Sequence, residues 1–127
     1  MDKKILVDTS AWILSFKRSG QEALDKDQVV TTPFIVLELL QGCKTQKEFD
    51  DLEIRLTSLE SYPPETRTWE GVYGFGFPLR RKGLTLPTLD ILLAFLAIQK
   101  DFVLLHHDHH FRKIAEQSKL VAIDFLG

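Results

Sequence analysis

The sequence of 127 residues has little of three things: cysteine, long apolar runs and net charge. Cys43 is the only cysteine, which excludes an intrachain disulfide and suits a reducing compartment. The longest uncharged apolar run, residues 91–98, is far shorter than the roughly 20 residues that span a bilayer. The N-terminal residues lead into a strand pattern without the apolar segment of a signal peptide, so we expect a cytoplasmic protein with no membrane partner.

The formal net charge is −2 at pH 7, so the molecule as a whole does not attract a polyanion. Two short basic runs could still contact phosphates, Lys17-Arg18 and Arg80-Arg81-Lys82. Each also has the ordinary interpretation of a solvated surface, which we favour for the first run. The composition, 44% hydrophobic and 27% charged, is typical of a globular protein, and the length suits one domain over residues 1–127.

Short β-branched runs alternate with longer helical patterns along the chain. Strands are expected over residues 4–8, 28–32, 103–107 and 121–125, and a short edge strand near residue 61. Helices are expected over residues 9–16, 33–41, 89–99 and 111–117, and after residue 45. This alternation predicts an α/β fold, a central parallel sheet flanked by helices in three α/β/α layers. Glycines 71, 74 and 76 with Pro78 predict a kinked or interrupted helix over residues 65–77.

Three carboxylates stand alone inside apolar segments. Asp8 is the only ionisable residue between Lys4 and Lys17, and Glu38 and Asp90 are the only charges in their own segments. The helix that carries Glu38 is apolar on nearly all sides, so we expect both the helix and the glutamate to be buried. A carboxylate in an apolar interior is costly or takes up a proton, and a bound cation would explain all three acids at once.

A fourth carboxylate, Asp108, follows the strand expected over residues 103–107. Asp8 and Asp108 should therefore both lie at the carboxyl ends of parallel strands, where α/β folds bind ligands. With Glu38 and Asp90 packed alongside, four acids would converge and raise each other's pKa unless a cation neutralised them. Mg²⁺ or Mn²⁺ suits oxygen ligands and also binds phosphate oxygens, so the set indicates phosphodiester hydrolysis.

Each acid also has a local interpretation. Asp8 and Asp108 could be helix caps, and Asp90 could complement the dipole of its helix. Glu38 has the weakest alternative, because a buried glutamate in the middle of a helix needs a partner. All four local interpretations together are much less plausible than any one of them alone.

Side chains beside the acids could assist them. Thr9 and Ser10 could hydrogen-bond the Asp8 carboxylate or a water ligand of the metal, although helix capping would explain them equally well. All four histidines lie within residues 106–110. They could bind zinc or nickel, but alternate residues of a strand face opposite ways and no cysteine lies near, which argues against a histidine metal site.

Four segments of the chain contain motifs that can be compared with those of known families. In order they are Val7-Asp8-Thr9-Ser10-Ala11-Trp12; Leu37-Glu38-Leu39-Leu40-Gln41-Gly42; Leu79-Arg80-Arg81-Lys82-Gly83 with Leu89-Asp90-Ile91-Leu92-Leu93-Ala94; and His107-Asp108-His109-His110-Phe111. Together they resemble the ordered motifs of PIN-domain ribonucleases, specifically the VapC-like toxins of bacterial toxin–antitoxin pairs. The resemblance covers essentially the whole chain.

The resemblance implies a Mg²⁺- or Mn²⁺-dependent endoribonuclease that usually dimerises and is held inactive by a cognate antitoxin. Asp8, Glu38, Asp90 and Asp108 match the family's acidic positions and would be the catalytic, metal-binding residues. Many members have a second acid two residues after the fourth, where this chain has His110, an auxiliary candidate. The cations that would contact the RNA substrate are Lys17, Arg18, Arg80, Arg81 and Lys82. A housekeeping nuclease in RNA processing and a catalytically inactive binding module with this fold are the alternatives.

Overall fold

The computed structural model describes residues 3–17 and 27–126. The strands are β1 (Ile5–Val7), β2 (Val29–Thr31), β3 (Glu60–Ser61), β4 (Val103–His106) and β5 (Ala122–Asp124). The helices are α1 (Thr9–Lys17), α2 (Pro33–Gln41), α3 (Gln46–Thr57), α4 (Thr66–Arg81), α5 (Thr88–Lys100) and α6 (His109–Glu116). In the described part of the chain, none of these helices combines the length and the apolarity that crossing a membrane requires.

The described strands form one sheet in the order β3-β2-β1-β4-β5, and every neighbouring pair is parallel. β1 is central, with Leu6 paired to Val30 on one flank and to Leu104 on the other. The chain fills the β2–β3 half first and then crosses to the β4–β5 half, so the strand order reverses between β1 and β4. Such a reversal opens a crevice at the carboxyl ends of the two strands.

Helices cover both faces of this sheet. α2 contacts α1 and α3, whereas α5 contacts α4 and α6. Right-handed crossovers place the first three helices on one face and the last three on the other. Between the layers lie fully buried apolar side chains such as Leu6, Leu96 and Leu104. The predicted three-layer α/β/α fold is confirmed, while the assignment of all residues 1–127 to one domain stays a prediction.

α4 departs from the sequence-based expectation, because it runs without interruption from Thr66 to Arg81 and includes Pro78. Two of its glycines, Gly71 and Gly76, pack closely against α5. A Cβ at Gly71 would lie 2.4 Å from Cζ of Phe95, which is far inside van der Waals contact. Of the two predicted alternatives, an interruption is wrong, whereas a kink stays a prediction. Gly71 admits the aromatic ring of Phe95 to the surface of the continuous helix.

α2 is only partly buried. Ile35 and Leu39 are buried toward the core, whereas Leu37 is 62% exposed and Glu38 is half-buried. The prediction that the whole helix and its glutamate are buried is therefore wrong, since only one side of the helix is buried. α2 belongs to an outer layer, so one side packs on the sheet and the other side faces solvent despite its apolar residues.

Candidate metal-binding active site

Asp8 directly follows β1 at the centre of the sheet. Its N–H donates to the carbonyl of Leu105 at 2.9 Å, which continues the pairing of β1 with β4. The residue is 7% exposed, and Oδ2 accepts hydrogen bonds from the N–H of Ser10 at 3.1 Å and from its hydroxyl at 2.5 Å. Asp8 is thus a cap of α1, yet burial raises the pKa of its carboxyl above the usual range. Capping alone does not explain why an ionisable cap lies this deep.

Glu38 of α2 lies beside the start of α1. The hydroxyl of Thr9 donates to Oε1 of Glu38 at 3.2 Å and so connects the two helices. Burial raises the pKa of Glu38, and the charge of Asp8 also raises it. Ser10 therefore hydrogen-bonds the Asp8 carboxylate, one of the two predicted contacts, whereas the Thr9 hydroxyl bonds Glu38 and not Asp8. The auxiliary role of both residues stays a prediction.

Asp90 and Asp108 come from different helices and meet at His110. Asp90 lies in the first turn of α5, and Asp108 caps α6 by accepting the N–H of His110 at 2.9 Å. The ring Nδ1 of His110 lies 2.9 Å from Oδ2 of Asp90 and 3.2 Å from Oδ1 of Asp108. The N–H of Asp108 in turn donates to Nδ1 of the buried His106 at 3.1 Å.

The predicted acids affect one another electrostatically. Burial raises the pKa of Asp90, and the charges of Asp8 and Asp108 raise it further. Within the described residues, Asp90 and Asp108 form ion pairs with histidines only, and no lysine or arginine pairs with them. Burial raises the pKa of Asp8, Glu38 and Asp90, and a set of carboxylates without a lysine or arginine partner is one that a hard divalent cation neutralises. The residues present therefore fit a metal ion.

Asp108, His109 and His110 form a group of possible ligands among the described residues. One ligand atom from each lies within 4.8 Å of the other two. His109 is the outer member, with its Nδ1 3.6 Å from Oδ1 of Asp108 and 65% of its side chain exposed. Nitrogen donors thus lie at the site, although the sequence analysis argued against a site made of histidines.

His107 belongs to a neighbouring cluster that the sequence analysis missed. Its Nδ1 lies 3.0 Å from Oδ1 of Asp124 on β5, and Arg112 donates to Oδ2 of the same carboxylate at 3.4 Å. The hydrogen bond with His107 lowers the pKa of Asp124 to about 2. The N–H of His107 also donates to the Ser10 hydroxyl at 2.9 Å, which connects this cluster to Asp8. The available signal was that Asp124 lies near the end of the strand expected over residues 121–125.

The two basic runs differ in their relation to the acids. Residues 80–82 are exposed at the end of α4, and residues 83–87 connect them to α5, which holds Asp90 in its first turn. Lys17 is exposed at the far end of α1, about 13 Å along the helix from its start. Arg18 lies outside the described residues. Residues 80–82 thus come directly before the connection that leads to Asp90.

Known proteins are similar to this chain in sequence and in structure. The ribonuclease VapC11 of Mycobacterium tuberculosis is 29% identical over 135 residues, covering 95% of this chain and 98% of the relative. The structure of DNA-bound VapBC from Salmonella typhimurium has a TM-score of 0.79 at 18% identity, covering 98% of this chain and 99% of that chain. VapBC-5 from M. tuberculosis, described as a member of the VapBC family of toxin–antitoxin systems, has a TM-score of 0.70 at 18% identity, covering 97% and 99%. These structural likenesses show the fold.

A family model described as PIN domain matches residues 5–117. That match spans nearly all of the described structure, from the start of β1 to the residue after α6. The chain therefore belongs to the PIN-domain family.

Proposed function

We propose that this chain is a divalent-metal-dependent endoribonuclease that acts in the cytoplasm as the toxin of a toxin–antitoxin pair. The observation that carries the proposal is the set of acids at the crevice between β1 and β4, which has no lysine or arginine partner among the described residues. The name of the 29%-identical relative supports the ribonuclease activity. The description of VapBC-5 supports an antitoxin partner.

In this proposal Asp8, Asp90 and Asp108 would hold Mg²⁺ or Mn²⁺ through their carboxylate oxygens. When bound, such an ion would supply a water of lowered pKa and would neutralise charge that develops on the phosphate. Ser10 fixes the Asp8 carboxylate through two hydrogen bonds to one oxygen, so that its orientation is set before substrate arrives.

Glu38 would orient the attacking water and accept its proton. Its raised pKa makes it a stronger base than an exposed glutamate, and general bases work best with a pKa near the working pH. Thr9 holds Oε1 of Glu38 at 3.2 Å, which leaves the other carboxylate oxygen for the water. Glu38 could also reach the ion through a water.

Arg80, Arg81 and Lys82 would contact the RNA phosphates, with Lys17 and Arg18 as a second contact region. Guanidinium groups bind phosphate through paired hydrogen bonds, which suits them to hold the backbone of a strand. Replacing Arg80 and Arg81 by alanine should weaken binding uniformly across RNA sequences and reduce its salt dependence.

A cognate antitoxin would cover the crevice. Ile13 on α1 and Leu37 on α2 are 42% and 62% exposed, on the same face of the sheet as Thr9 and Glu38. Exposed apolar side chains beside polar groups are typical of a surface that binds another polypeptide. An antitoxin segment bound here would block access of RNA to the acids.

A homodimer would use α4. Trp69, Tyr73 and Phe77 recur every fourth residue on this helix and are 42%, 70% and 69% exposed. This spacing gives a continuous aromatic stripe along one helix face, and two copies of such a stripe can pack around a two-fold axis. Tyr73→Glu should convert the dimer to a monomer in sedimentation analysis, whereas an unchanged dimer would contradict this contact.

The proposal is tested by incubating the purified protein with RNA in the presence of Mg²⁺, of Mn²⁺ and of a chelator. Cleavage is expected with at least one ion, and both the chelator and Asp8→Asn should abolish it. Cleavage that stays the same with either ion, with the chelator and in Asp8→Asn would overturn the assignment of these acids as the nuclease site.

Expression in a bacterial host tests the biological role: growth should stop, and co-expression of the antitoxin should restore it. Unimpaired growth would instead favour an RNA-processing nuclease.

A further inference from the structure

His110 gives the candidate metal centre a nitrogen donor in addition to its carboxylate oxygens. It is the second residue of α6, and 25% of its side chain is exposed. Its backbone N–H donates to Oδ1 of Asp108 at 2.9 Å, so the cap that starts the helix also fixes the residue in place. The ring of His109 packs beside it with centroids 4.4 Å apart.

The distances around the ring nitrogen are those of neighbouring metal ligands. Nδ1 lies 2.9 Å from Oδ2 of Asp90 and 3.2 Å from Oδ1 of Asp108. Donors at adjacent corners of an octahedron around an ion, each about 2.1 Å from it, are about 3.0 Å apart. The nitrogen is therefore already spaced from both oxygens as one ligand is from the next.

A single hydrogen bond accounts for only one of the two close contacts that Nδ1 makes with carboxylate oxygens. Nδ1 carries at most one proton, which it can donate well to one acceptor, yet two carboxylate oxygens lie within 3.2 Å of it. A cation that accepts electron pairs from the nitrogen and from the carboxylate of Asp108, whose ligand atoms lie within 4.8 Å of one another, would satisfy both donors together.

The geometry points to His110 as a nitrogen ligand that makes the centre prefer a first-row transition ion over Mg²⁺, an inference that rests on the divalent-metal site of the proposed function. Mg²⁺ takes oxygen ligands and gives up its waters reluctantly, whereas imidazole is a good ligand for transition ions. Mn²⁺ is the ion to test, because it also accepts carboxylate oxygens and is paramagnetic.

The first experiment is pulsed electron paramagnetic resonance of Mn²⁺ bound to the metal-free full chain. Coupling of the Mn²⁺ spin to a directly bound imidazole nitrogen is expected, and it should change when the histidines are labelled with ¹⁵N. Absence of nitrogen coupling in the wild-type complex would overturn the inference without reference to any variant.

Titration calorimetry with Mn²⁺ alone and with Mg²⁺ alone then measures the ion preference. In the wild-type protein Mn²⁺ should bind at least about tenfold more tightly than Mg²⁺, within the range by which such contacts alter metal affinity. Two variants test this: His110→Asp, which supplies an oxygen donor, and His110→Ala. Both should lower the affinity for Mn²⁺ relative to Mg²⁺ and remove the nitrogen coupling. Circular dichroism verifies that each variant is folded.

His107→Ala is the matched control, because His107 is a nearby imidazole that hydrogen-bonds Asp124 and lies outside the group of possible ligands among the described residues. It should retain both the coupling and the Mn²⁺ preference. Coupling that disappears in His109→Ala and persists in His110→Ala would overturn the assignment to His110.

RNA cleavage, measured separately, distinguishes this inference from the proposed function. Metal-dependent cleavage without nitrogen coupling would leave the nuclease proposal intact and reject His110 as a ligand. Nitrogen coupling without cleavage in either ion would support the ligand and reject the nuclease.

Discussion

Asp8 and Asp124 lie at the same edge of the sheet, at the carboxyl ends of β1 and β5, but their surroundings are opposite. Asp124 has two basic partners, His107 and Arg112, and the hydrogen bond with His107 lowers its pKa to about 2. Asp8 is buried, its donors come from neutral Ser10, and burial raises its pKa. The fold thus places basic side chains beside Asp124, whereas the side chain that donates to Asp8 is neutral.

We propose that this difference separates a structural carboxylate from a functional one. A partnered acid such as Asp124 has its charge compensated by the fold and needs nothing from solution. Asp8 shares its crevice with Asp108, whose charge raises its pKa further, so its ionised form is unfavourable until a cation binds. Perturbed carboxylates gathered in a crevice are typical of active sites.

The largest effect should be on RNA cleavage. Asp8→Asn removes a metal ligand while keeping the size and the hydrogen-bond acceptor of the side chain, and the cleavage rate should fall by about 100-fold or more. The matched variant Asp124→Asn should stay within about threefold of wild type, since a surface ion pair changes energies little. Equal losses in both variants, measured on one RNA under one metal concentration, would remove the distinction between the two acids.

The next effect is on stability in the presence of metal. An ion at 100 times its dissociation constant stabilises the native state by about 2.7 kcal/mol, which for a domain of this size raises the Tm on the order of 10 °C. Calorimetric scans should show this rise in wild type and in Asp124→Asn, and its absence in Asp90→Asn. A rise that survives in Asp90→Asn would place the ion elsewhere.

Much of this architecture could be predicted from the sequence, because the signals were local. The run before Asp8 has the β-branched pattern of a buried strand, and the isolation of Asp8 in an apolar segment marked it as unusual. The four candidate acids could also be identified, because they occur in the order of the family's motifs along the chain. The pairing of Thr9 with Glu38 could not be predicted, since it depends on how α1 packs against α2.

The errors came from packing that the sequence pattern does not determine. Gly71 indicated a break in α4, but its missing side chain makes room for Phe95. Leu37 indicated burial, but an outer-layer helix has only one buried side. His107 and Asp124 are 17 residues apart and meet only because β4 and β5 are neighbours, which no local pattern specifies.

A smaller effect concerns the metal-free protein. The pKa of Asp8 is higher in the folded than in the unfolded chain, so its contribution to stability is present below the unfolded pKa and is lost as pH rises through the folded pKa. Asp8→Asn should therefore be more stable than wild type at pH 7 with chelator present, by about 1 kcal/mol, the usual size of a single substitution. Urea titrations should show this gain shrinking as the pH falls toward 4.

The smallest effect is the reverse pH dependence at Asp124. Its folded pKa of about 2 lies below the unfolded value of about 3.9, so its contribution is present above the unfolded pKa and is lost as pH falls through about 2. Asp124→Asn should lower the free energy of unfolding at pH 7 by less than about 1 kcal/mol, with the difference vanishing near pH 2. Arg112→Ala should lower it less, because its contact is the longer one at 3.4 Å. The two aspartate variants therefore shift stability in opposite directions at neutral pH, and a shift of the same sign in both would mean that the fold does not treat these two carboxylates differently.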